Sequence, residues 1–414
     1  MSVFRTEKTD KYRMALDSLR HFARAKMAEI AARNWLRVLR PTARGPQAGD
    51  GLTIRRDGRS LVSFSCNDYL GLSRHPRVIA AAVEATQRYG AGAGASRYVT
   101  GDNPLYEAIE TRLARLKGSE TALVFGSGYL ANLGIIPALI GEGDLIVGDE
   151  FSHACMHGGA RLSRATVRLF RHNDIDHCAA ILAAERARHP HCLVMTEGVF
   201  SMDGDRAPVK RLAALARDHD AWLLTDDAHA LGVIGGGRGS AHASGAVGEV
   251  PLQMGTLSKA VGAYGGYLCT DRETAEFIRH RARSLIYSTG LPPGTLAAID
   301  AGLDLIEHDA AMVERPLTLA RRFTDSLGLP EAQSAIVPVI LGDPASALAA
   351  AQALEDAGLL VVAMRPPTVP EGTSRLRITF SAGHGDEDVA RLIAAMKRLD
   401  LAPRAPGLSM TAAS

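Results

Sequence analysis

The stretch AWLLTDDAHA at residues 221–230 decides how this chain folds. It is a short apolar run, Trp222–Thr225, that ends in two acids and a histidine. A short run that is apolar throughout is typical of a strand buried on both faces of a parallel sheet. In such sheets, ligands bind beyond the carboxyl ends of the strands. Asp226, Asp227 and His229 therefore stand where a ligand is expected.

Further short apolar runs lie on both sides of this stretch and alternate with helix-length amphipathic segments. This alternation predicts a mostly parallel sheet that is covered by helices on both faces. The predicted strands are Leu61–Ser65, Ala122–Phe125, Leu145–Val147, Thr166–Leu169, Cys192–Thr196, Trp222–Thr225 and Gln253–Thr256. The predicted helices include Arg77–Tyr89, Leu105–Leu116, Tyr129–Leu139, Ile175–Arg188 and Val209–His219.

The pattern changes after Pro292 and predicts a smaller α+β lobe. Its predicted elements are the helices Leu296–His308, Ala345–Ala357 and Glu387–Leu399 and the strands Ile336–Leu341, Leu359–Met364 and Arg375–Phe380. At the other end, an amphipathic helix is predicted over Asp10–Asn34, with Met14, Leu19, Phe22, Met27 and Ile30 near one face. We therefore predict an N-terminal helix and connector (1–60), a large domain (61–300), a small C-terminal domain (301–401) and a tail (402–414).

The composition excludes several classes of protein. The 414 residues exceed what one compact core usually holds, and 46% hydrophobic with 22% charged residues is the usual balance of a globular protein. A net charge of +2 does not argue for a nucleic acid or a membrane as partner. Five cysteines without CxxC spacing argue against a disulfide framework or a zinc site. Because there is no secretory leader and no apolar stretch of roughly 18 residues, a cytoplasmic location is expected.

A lysine follows another of the predicted strands. The segment Gly255-Thr256-Leu257-Ser258-Lys259 is followed by glycines at 262, 265 and 266. Lysine is normally a surface residue, but small neighbours are what a chain needs where it approaches a ligand closely. Glu197 ends a third strand, so Glu197, Asp226 and Lys259 are expected at one edge of the sheet.

Two more motifs fall at the starts of helices. The segment FGSGY at 125–129 joins a strand to a helix through a glycine-rich turn, which offers backbone N–H groups to an anion such as phosphate. The segment DEFSH at 149–153 ends in His153. Taken singly, such features are more often structural, because a lone histidine is usually a satisfied core residue and an acid after a strand is usually a helix cap. Their combination is what points to a site.

The combination resembles the α-oxoamine synthases, a family within the aspartate-aminotransferase-like (fold type I) enzymes that depend on pyridoxal 5'-phosphate (PLP). The resemblance runs from about Arg37 to Leu399. It implies an acyltransferase with a large, mostly parallel mixed sheet covered by helices and a smaller α+β C-terminal domain. The motifs that carry it are SCNDYLGL (65–72), GAGAGASR (90–97), TEGVFSMDGD (196–205), TDDAH (225–229) and GTLSK (255–259).

The resemblance also assigns roles at the cofactor. Lys259 would hold PLP as its Schiff-base lysine and move the proton at the substrate Cα. Asp226 would face the ring nitrogen, where a carboxylate about 4 Å from a cation stabilises it by roughly 4 kcal/mol at an effective dielectric constant near 20. His153 would stack on the ring and His229 would bond its hydroxyl. The other implied cofactor contacts are Ser127, Gly128, Tyr129, Ser201, Thr256 and Ser258, with Ser288 and Thr289 reaching the phosphate of the second subunit in a homodimer.

Four residues are implied to bind substrates. Arg377 would bind the amino-acid carboxylate, for which a bidentate guanidinium is better suited than an ammonium group. Asn67, Arg37 and Thr368 would contact the substrates as well, the last two on the acyl side. No metal site is predicted.

Three segments implied to lie near the substrates indicate which reaction within the family this chain catalyses. MRPPTVP (364–370), RLR (375–377) and IYSTGLPP (286–293) resemble members that condense L-alanine with a pimeloyl thioester of coenzyme A or an acyl carrier protein, giving 8-amino-7-oxononanoate for biotin synthesis. The sequence differs from those members at three places where they have more glycine: residues 95–97, Thr256-Leu257 and Ala230. The sister enzymes 2-amino-3-ketobutyrate CoA ligase, serine palmitoyltransferase and 5-aminolevulinate synthase remain alternatives.

Three other classes explain the sequence less well. A dinucleotide-binding oxidoreductase would need a glycine-rich turn between an early strand and helix with an acid roughly 20 residues on, and neither Gly90–Gly94 nor Gly235–Gly239 meets this. A metal hydrolase would need a glutamate in HExxH order between His153 and His157. A scaffold gains nothing from a lysine and an aspartate buried at strand ends, where each costs stability.

Overall fold

The computed structural model describes residues 3–33, 35–44 and 52–400; the predicted tail at 402–414 and part of the connector lie outside them. The helices are α1 (Val3–Ala32), α2 (Pro76–Tyr89), α3 (Leu105–Lys117), α4 (Gly128–Leu139), α5 (Ala154–Ser163), α6 (Ile175–Glu185), α7 (Val209–Asp218), α8 (Ser240–Ala243), α9 (Arg272–Arg281), α10 (Arg283–Ile286), α11 (Pro293–His308), α12 (Ala310–Leu327), α13 (Pro344–Asp356) and α14 (Asp386–Arg398). The strands are β1 (Ala43–Arg44), β2 (Thr53–Arg56), β3 (Arg59–Ser63), β4 (Thr121–Phe125), β5 (Leu145–Asp149), β6 (Thr166–Phe170), β7 (Cys192–Glu197), β8 (Trp222–Asp226), β9 (Leu252–Thr256), β10 (Gly266–Thr270), β11 (Ile336–Gly342), β12 (Leu359–Leu360), β13 (Val362–Met364) and β14 (Ser374–Thr379).

Seven strands form the large mixed sheet in the order β4-β10-β9-β8-β7-β5-β6. The pairs β9-β8, β8-β7, β7-β5 and β5-β6 are parallel, whereas β10 runs antiparallel to both β4 and β9. The sequence predicted all of these strands except β10. That strand was missed because its five residues follow directly on a glycine-rich loop and do not stand out from it.

The remaining strands form two small sheets. The predicted strand Leu61–Ser65 is present as β3, but it pairs with β2 and β12 outside the large sheet. Asp57 and Gly58 join β2 to β3 with positive φ angles of 50° and 76°, at the predicted turn. The single strand predicted at Leu359–Met364 is divided, because β12 pairs with β3 while β13 pairs with β14. The order β11-β14-β13 gives the C-terminal lobe its predicted sheet.

The core explains why the central strands are apolar throughout. Successive residues of a strand point to opposite faces, and both faces of this sheet are covered. On β7, Met195 packs in one cluster with Ile135 of α4, whereas Val194 packs in another with Leu212 of α7. All six residues of β7 are buried. Polar side chains can therefore leave such a strand only at its carboxyl end.

The N-terminal helix begins earlier than predicted, at Val3, and ends at Ala32. Leu19, Phe22 and Met27 of its predicted apolar face are exposed by 63%, 60% and 52%. These three side chains of the predicted face are therefore largely unpacked in the single chain, whereas Ile30 is half-buried. None of the described helices is long and apolar enough to cross a membrane.

A buried ion pair lies behind the carboxyl end of β8. Nζ of Lys117 lies 2.5 Å from Oδ2 of Asp227 and 2.6 Å from the carbonyl oxygen of Arg238, and neither charged side chain is exposed. The backbone N–H of Ser240 also donates to Asp227, at 3.1 Å. Asp227 thus points away from its neighbour Asp226, as the alternation of side chains along a strand predicts. The pair ties the end of α3 to the loop that follows β8.

Breaking this pair should be costly, because one buried charge would lose its partner. We expect Lys117→Met to lower the free energy of unfolding by about 3–5 kcal/mol. Denaturant unfolding of the purified protein measures this. The double variant Lys117→Met/Asp227→Asn removes both charges and should recover part of the loss. An unchanged unfolding midpoint in the single variant would contradict the buried pair.

Candidate active site

The large sheet brings three predicted side chains to one edge. In the parallel register, Glu197 at the end of β7 lies opposite Asp226 at the end of β8. Lys259 follows β9, and its Nζ lies 2.7 Å from Nε2 of His229. Residues 197, 226, 229 and 259 thus form one cluster, although they are distributed over some 60 positions of the sequence.

Lys259 is held in a loop with little free space. The loop turns at Gly262, where φ is 75° and a Cβ atom would lie 2.3 Å from the backbone nitrogen of Ser73. Burial lowers the pKa of Lys259 to about 8, although the carboxylates of Asp226 and Glu197 oppose the shift. A substantial fraction of this amine is therefore neutral near physiological pH, which a nucleophile or a base requires.

His229 stands between Lys259 and a tyrosine that the sequence analysis did not single out. The hydroxyl of Tyr69 lies 2.6 Å from Nδ1 of His229, on the side of the ring opposite Lys259. Burial, with Lys259 as a smaller cause, lowers the pKa of His229 well below its usual value. The ring is therefore neutral and bonded at both nitrogens. Tyr69 belongs to the SCNDYLGL motif, so the motif itself was the available signal.

Asp226 is buried among neutral partners. Its Oδ1 accepts from the backbone N–H of Ala228 and its Oδ2 from Nδ2 of Asn132, both at 2.9 Å. Burial raises the pKa of this carboxyl group, and the charge of Lys259 counteracts the shift. A buried carboxylate whose hydrogen bonds come from neutral groups is well suited to receive a cationic ligand group.

Glu197 is fully buried beside this pair. Its Oε2 accepts from the backbone N–H of Ser201 at 3.1 Å, and its Oε1 has no hydrogen-bond partner among the described residues. Burial and the nearby Asp226 raise the pKa of Glu197 well above its usual value. Burial therefore disfavours the charged form of this side chain.

The residues predicted to hold a phosphate meet at the start of α4. Ser127 caps this helix by accepting from the backbone N–H of Leu130 at 3.1 Å. A Cβ atom on Gly128 would lie 3.0 Å from Cβ of Thr256, so the helix start and the end of β9 are nearly in contact. The hydroxyls of Thr256 and Ser258 lie 2.7 Å apart. Tyr129, at the same helix start, is half-exposed. The N–H groups at the start of the helix and these hydroxyls form a cradle suited to an anion.

Arg377 joins the small lobe to the cluster. Its side chain is buried and donates from Nη1 to Oδ1 of Asn67 at 3.0 Å, from Nε to the carbonyl oxygen of Ser201 at 2.6 Å, and from Nη2 to the hydroxyl of Tyr69 at 3.5 Å. These three acceptors are neutral. A buried guanidinium with such partners keeps its charge available to an anionic group of a ligand.

A cleft of about 820 Å³ opens beside His153. Two residues predicted to contact the acyl substrate meet at its wall, where Nη2 of Arg37 donates to Oγ1 of Thr368 at 2.9 Å. They are 331 positions apart in the sequence. The cleft is thus lined by the segment after α1, the loop before α5 and the loop after β13.

Ser288 and Thr289 are predicted to contact the phosphate of a second subunit, and the structure of one chain does not test this role. Thr289 forms an isolated β-bridge with Ser96. Hydrogen bonds among the described residues do not connect Ser288 or Thr289 to Lys259, Thr256 or Ser127. Their predicted contact with the phosphate of a second subunit stays a prediction.

Comparisons with known proteins agree with this fold and site. Residues 59–396 match the model of the family described as aminotransferase class I and II. The chain is 59% identical over 344 residues to the 8-amino-7-oxononanoate synthase of Methylocella silvestris, covering 83% of this chain and 98% of that one. It is 56% identical over 377 residues to the enzyme of that name from Beijerinckia indica, covering 91% and 97%. The chain therefore belongs to the class I and II aminotransferase family and, within it, to the family of 8-amino-7-oxononanoate synthases.

Solved structures of two related enzymes share the backbone. A serine palmitoyltransferase from Sphingomonas wittichii superposes with a TM-score of 0.84 at 32% identity, covering 94% of this chain and 99% of that one. The 8-amino-7-oxononanoate synthase of Francisella tularensis superposes with a TM-score of 0.70 at 26% identity, covering 82% and 98%. The fold type I architecture predicted from the sequence is confirmed.

The lowered pKa of Lys259 predicts an unusual pH dependence of its reactivity. Near pH 7.5, about one quarter of an amine with a pKa of about 8 is neutral, against roughly 0.1% for an ordinary lysine with a pKa near 10.4. We expect an acylating reagent to modify Lys259 in the cofactor-free protein at a rate that rises up to about pH 8 and then levels off. Peptide mass spectrometry follows the reaction, with the exposed Lys397 as internal reference. A rate that still rises through pH 10 would contradict the assignment.

Proposed function

We propose that this protein condenses L-alanine with a pimeloyl thioester, releases carbon dioxide and forms 8-amino-7-oxononanoate, with PLP as its cofactor. The observation that carries the proposal is the identity of 54–59% to relatives named for that product. Serine palmitoyltransferases superpose well on the chain but are only 31–33% identical to it. The shared backbone supports the common chemistry, and the higher identity supports the choice of substrates.

The side chains at the strand ends fit the three reactive parts of PLP. The start of α4 with Thr256 and Ser258 suits the phosphate, the amine of Lys259 suits the aldehyde, and the buried carboxylate of Asp226 suits a protonated ring nitrogen. When bound, PLP withdraws electrons from the substrate Cα and so stabilises negative charge there. The orphaned oxygen of Glu197 lies in the same buried cluster.

Lys259 is proposed to move the proton at the substrate Cα. Its lowered pKa lets the neutral amine accept that proton and then, as an ammonium group, return it to the carbon of the product. His229 is neutral and bonded to both Tyr69 and Lys259, so it orients the amine without adding a charge. Proton removal and return are thus assigned to one side chain.

Arg377 is proposed to bind the carboxylate of the amino acid. Its guanidinium is fixed by Asn67, Tyr69 and the carbonyl of Ser201, so little side-chain freedom remains to be lost when a carboxylate binds. The Arg37–Thr368 contact supplies a cation and a hydroxyl at the wall of the cleft, which supports the proposal that the thioester enters there. Coenzyme A and an acyl carrier protein both supply a phosphopantetheine thioester, and either is compatible with this opening.

A homodimer is part of the proposal. The proposed role of Ser288 and Thr289 is to contact the phosphate bound by a second subunit, which requires two chains. An equal mixture of two inactive variants, Lys259→Ala and Ser288→Ala/Thr289→Ala, tests this, because mixed dimers would contain one site with wild-type residues from both chains. Recovery of a fraction of the activity on mixing supports the shared site, and no recovery contradicts it.

Replacement of the lysine tests the cofactor assignment. Lys259→Ala should abolish the absorbance of the lysine-bound cofactor and lower kcat/KM by about 10²–10⁴-fold or more, because both the covalent attachment and the base are lost. Absorbance spectroscopy and product formation measure the two effects, and Lys397→Ala is the control on an exposed lysine. Retention of both properties in Lys259→Ala would reject the proposal.

A panel of substrates tests the reaction itself. Alanine, glycine and serine are each incubated with pimeloyl, palmitoyl, acetyl and succinyl thioesters, and products are identified by mass spectrometry. We expect alanine with the pimeloyl thioester to have the highest kcat/KM, exceeding glycine by about 10-fold or more, since one methyl group in a fitted pocket supplies about that discrimination. A preference for serine with a palmitoyl thioester would instead indicate a serine palmitoyltransferase.

A further inference from the structure

A chain of hydrogen bonds through two buried side chains connects the exposed His153 to the buried Asp226. Nδ2 of Asn132, on α4, donates both to Oδ2 of Asp226 at 2.9 Å and to Sγ of Cys155 at 3.1 Å. The same sulfur lies 2.8 Å from Nδ1 of His153. Asn132 and Cys155 are themselves buried, so neither can contact a substrate directly. The two side chains that they join are the ones assigned to the face and to the nitrogen of the cofactor ring.

The chemistry of Asn132 fixes the direction of the first bond of this chain. The amide nitrogen of Asn132 can only donate, so Sγ of Cys155 accepts from it and has its own S–H free for another acceptor. Nδ1 of His153 also lies 3.3 Å from the backbone N–H of Cys155, which can only donate. This long contact favours an unprotonated Nδ1, and the thiol proton of Cys155 is then the donor in the shorter contact between Sγ and Nδ1, with the ring proton on Nε2.

A charged alternative is disfavoured by the surroundings. Burial raises the pKa of the Cys155 thiol to about 12, with the nearby Asp226 as a smaller cause. Partial burial lowers the pKa of His153, and Lys259 contributes to this, whereas Asp226 opposes it. A thiolate paired with an imidazolium would need both shifts to be reversed. The thiol and the ring are therefore both neutral.

We propose that Cys155 is a positioning residue, which donates its thiol proton to Nδ1 of His153 and so holds the ring in its Nε2–H tautomer, while Asn132 links the same sulfur to Asp226. These hydrogen bonds fix the orientation of His153 relative to Asp226, and on that orientation depends whether one side chain can contact the face of the cofactor ring while the other contacts its nitrogen. The importance of this orientation rests on the proposed function. The direction of the hydrogen bonds does not, so the two can be tested separately.

The chain offers a graded set of variants. Cys155→Ser retains one donor and one acceptor at this position, whereas Cys155→Ala removes both. Cys178→Ala is the matched control, because Cys178 is equally buried but packs in the cluster on the opposite face of the sheet, with α6 and α7. A role in packing alone would make the serine and alanine variants similar, and a role in hydrogen bonding would separate them.

The first measurement is made without cofactor. In ¹⁵N-histidine-labelled protein, with His153 assigned through His153→Gln, nuclear magnetic resonance distinguishes protonated from unprotonated ring nitrogens. We expect an unprotonated Nδ1 in the wild type, Cys155→Ser and Cys178→Ala, and a signal shifted toward the protonated form in Cys155→Ala. A protonated Nδ1 in the wild type, or identical spectra for all variants, would overturn the proposal.

The second measurement uses the enzyme with PLP. Cys155→Ala should lower kcat about tenfold, leave KM for the amino acid within about twofold and shift the absorbance maximum of the bound cofactor, and Cys155→Ser should restore both properties. Equal losses in the serine and alanine variants would reduce Cys155 to a packing residue and overturn the proposal. If the spectra confirm the tautomer but Lys259→Ala remains active, the proposed function fails while the proposed hydrogen bonds stand.

Discussion

The parallel register of β7, β8 and β9 is the constraint on which the site depends. It places Glu197 opposite Asp226 and brings Lys259 to the same edge. Helices cover both faces of these strands, so an ionisable group within a strand would be buried without a suitable partner. The carboxyl ends are the places where such groups can emerge and still share one pocket. The site is thus a consequence of how the sheet is buried.

The two adjacent acids at the end of β8 have different roles: Asp227 forms a structural ion pair, and Asp226 faces the candidate site. Asp227 is neutralised by Lys117 inside the protein, and the pair anchors the loop. Asp226 receives hydrogen bonds from neutral donors, so its charge is not compensated by a direct ion pair. Burial accordingly raises the pKa of Asp226 and lowers that of Lys259. Arg377 likewise has neutral partners. A ligand with a cationic ring and a carboxylate would compensate both buried charges, the ring pairing with Asp226 and the carboxylate with Arg377.

Apolar runs of uniform length were enough to predict the strands of the large sheet other than β10, because burial on both faces leaves a clear signature in the sequence. The positions of Asp226, Lys259 and Glu197 at strand ends followed from the same pattern. Asn132 and Cys155 were not predicted, because both lie on helices, where a single polar residue has no periodic signal. Asn132 is one helical turn after Gly128 and therefore on the same face of α4, which was a usable clue. The exposed face of α1 could not be foreseen, since amphipathicity does not specify what a helix packs against.

Substrate choice has a different structural origin from the common chemistry. The strand ends supply the groups proposed to face the cofactor, and the same backbone occurs in a serine palmitoyltransferase, with a TM-score of 0.84 at 32% identity. The cleft beside His153, in contrast, is lined by Arg37 from the segment after α1 and Thr368 from the small lobe. These residues lie outside the sheet, so they can change without disturbing its register. Backbone similarity therefore argues for the reaction type, whereas the overall identity of 54–59% to relatives named for 8-amino-7-oxononanoate argues for the substrates.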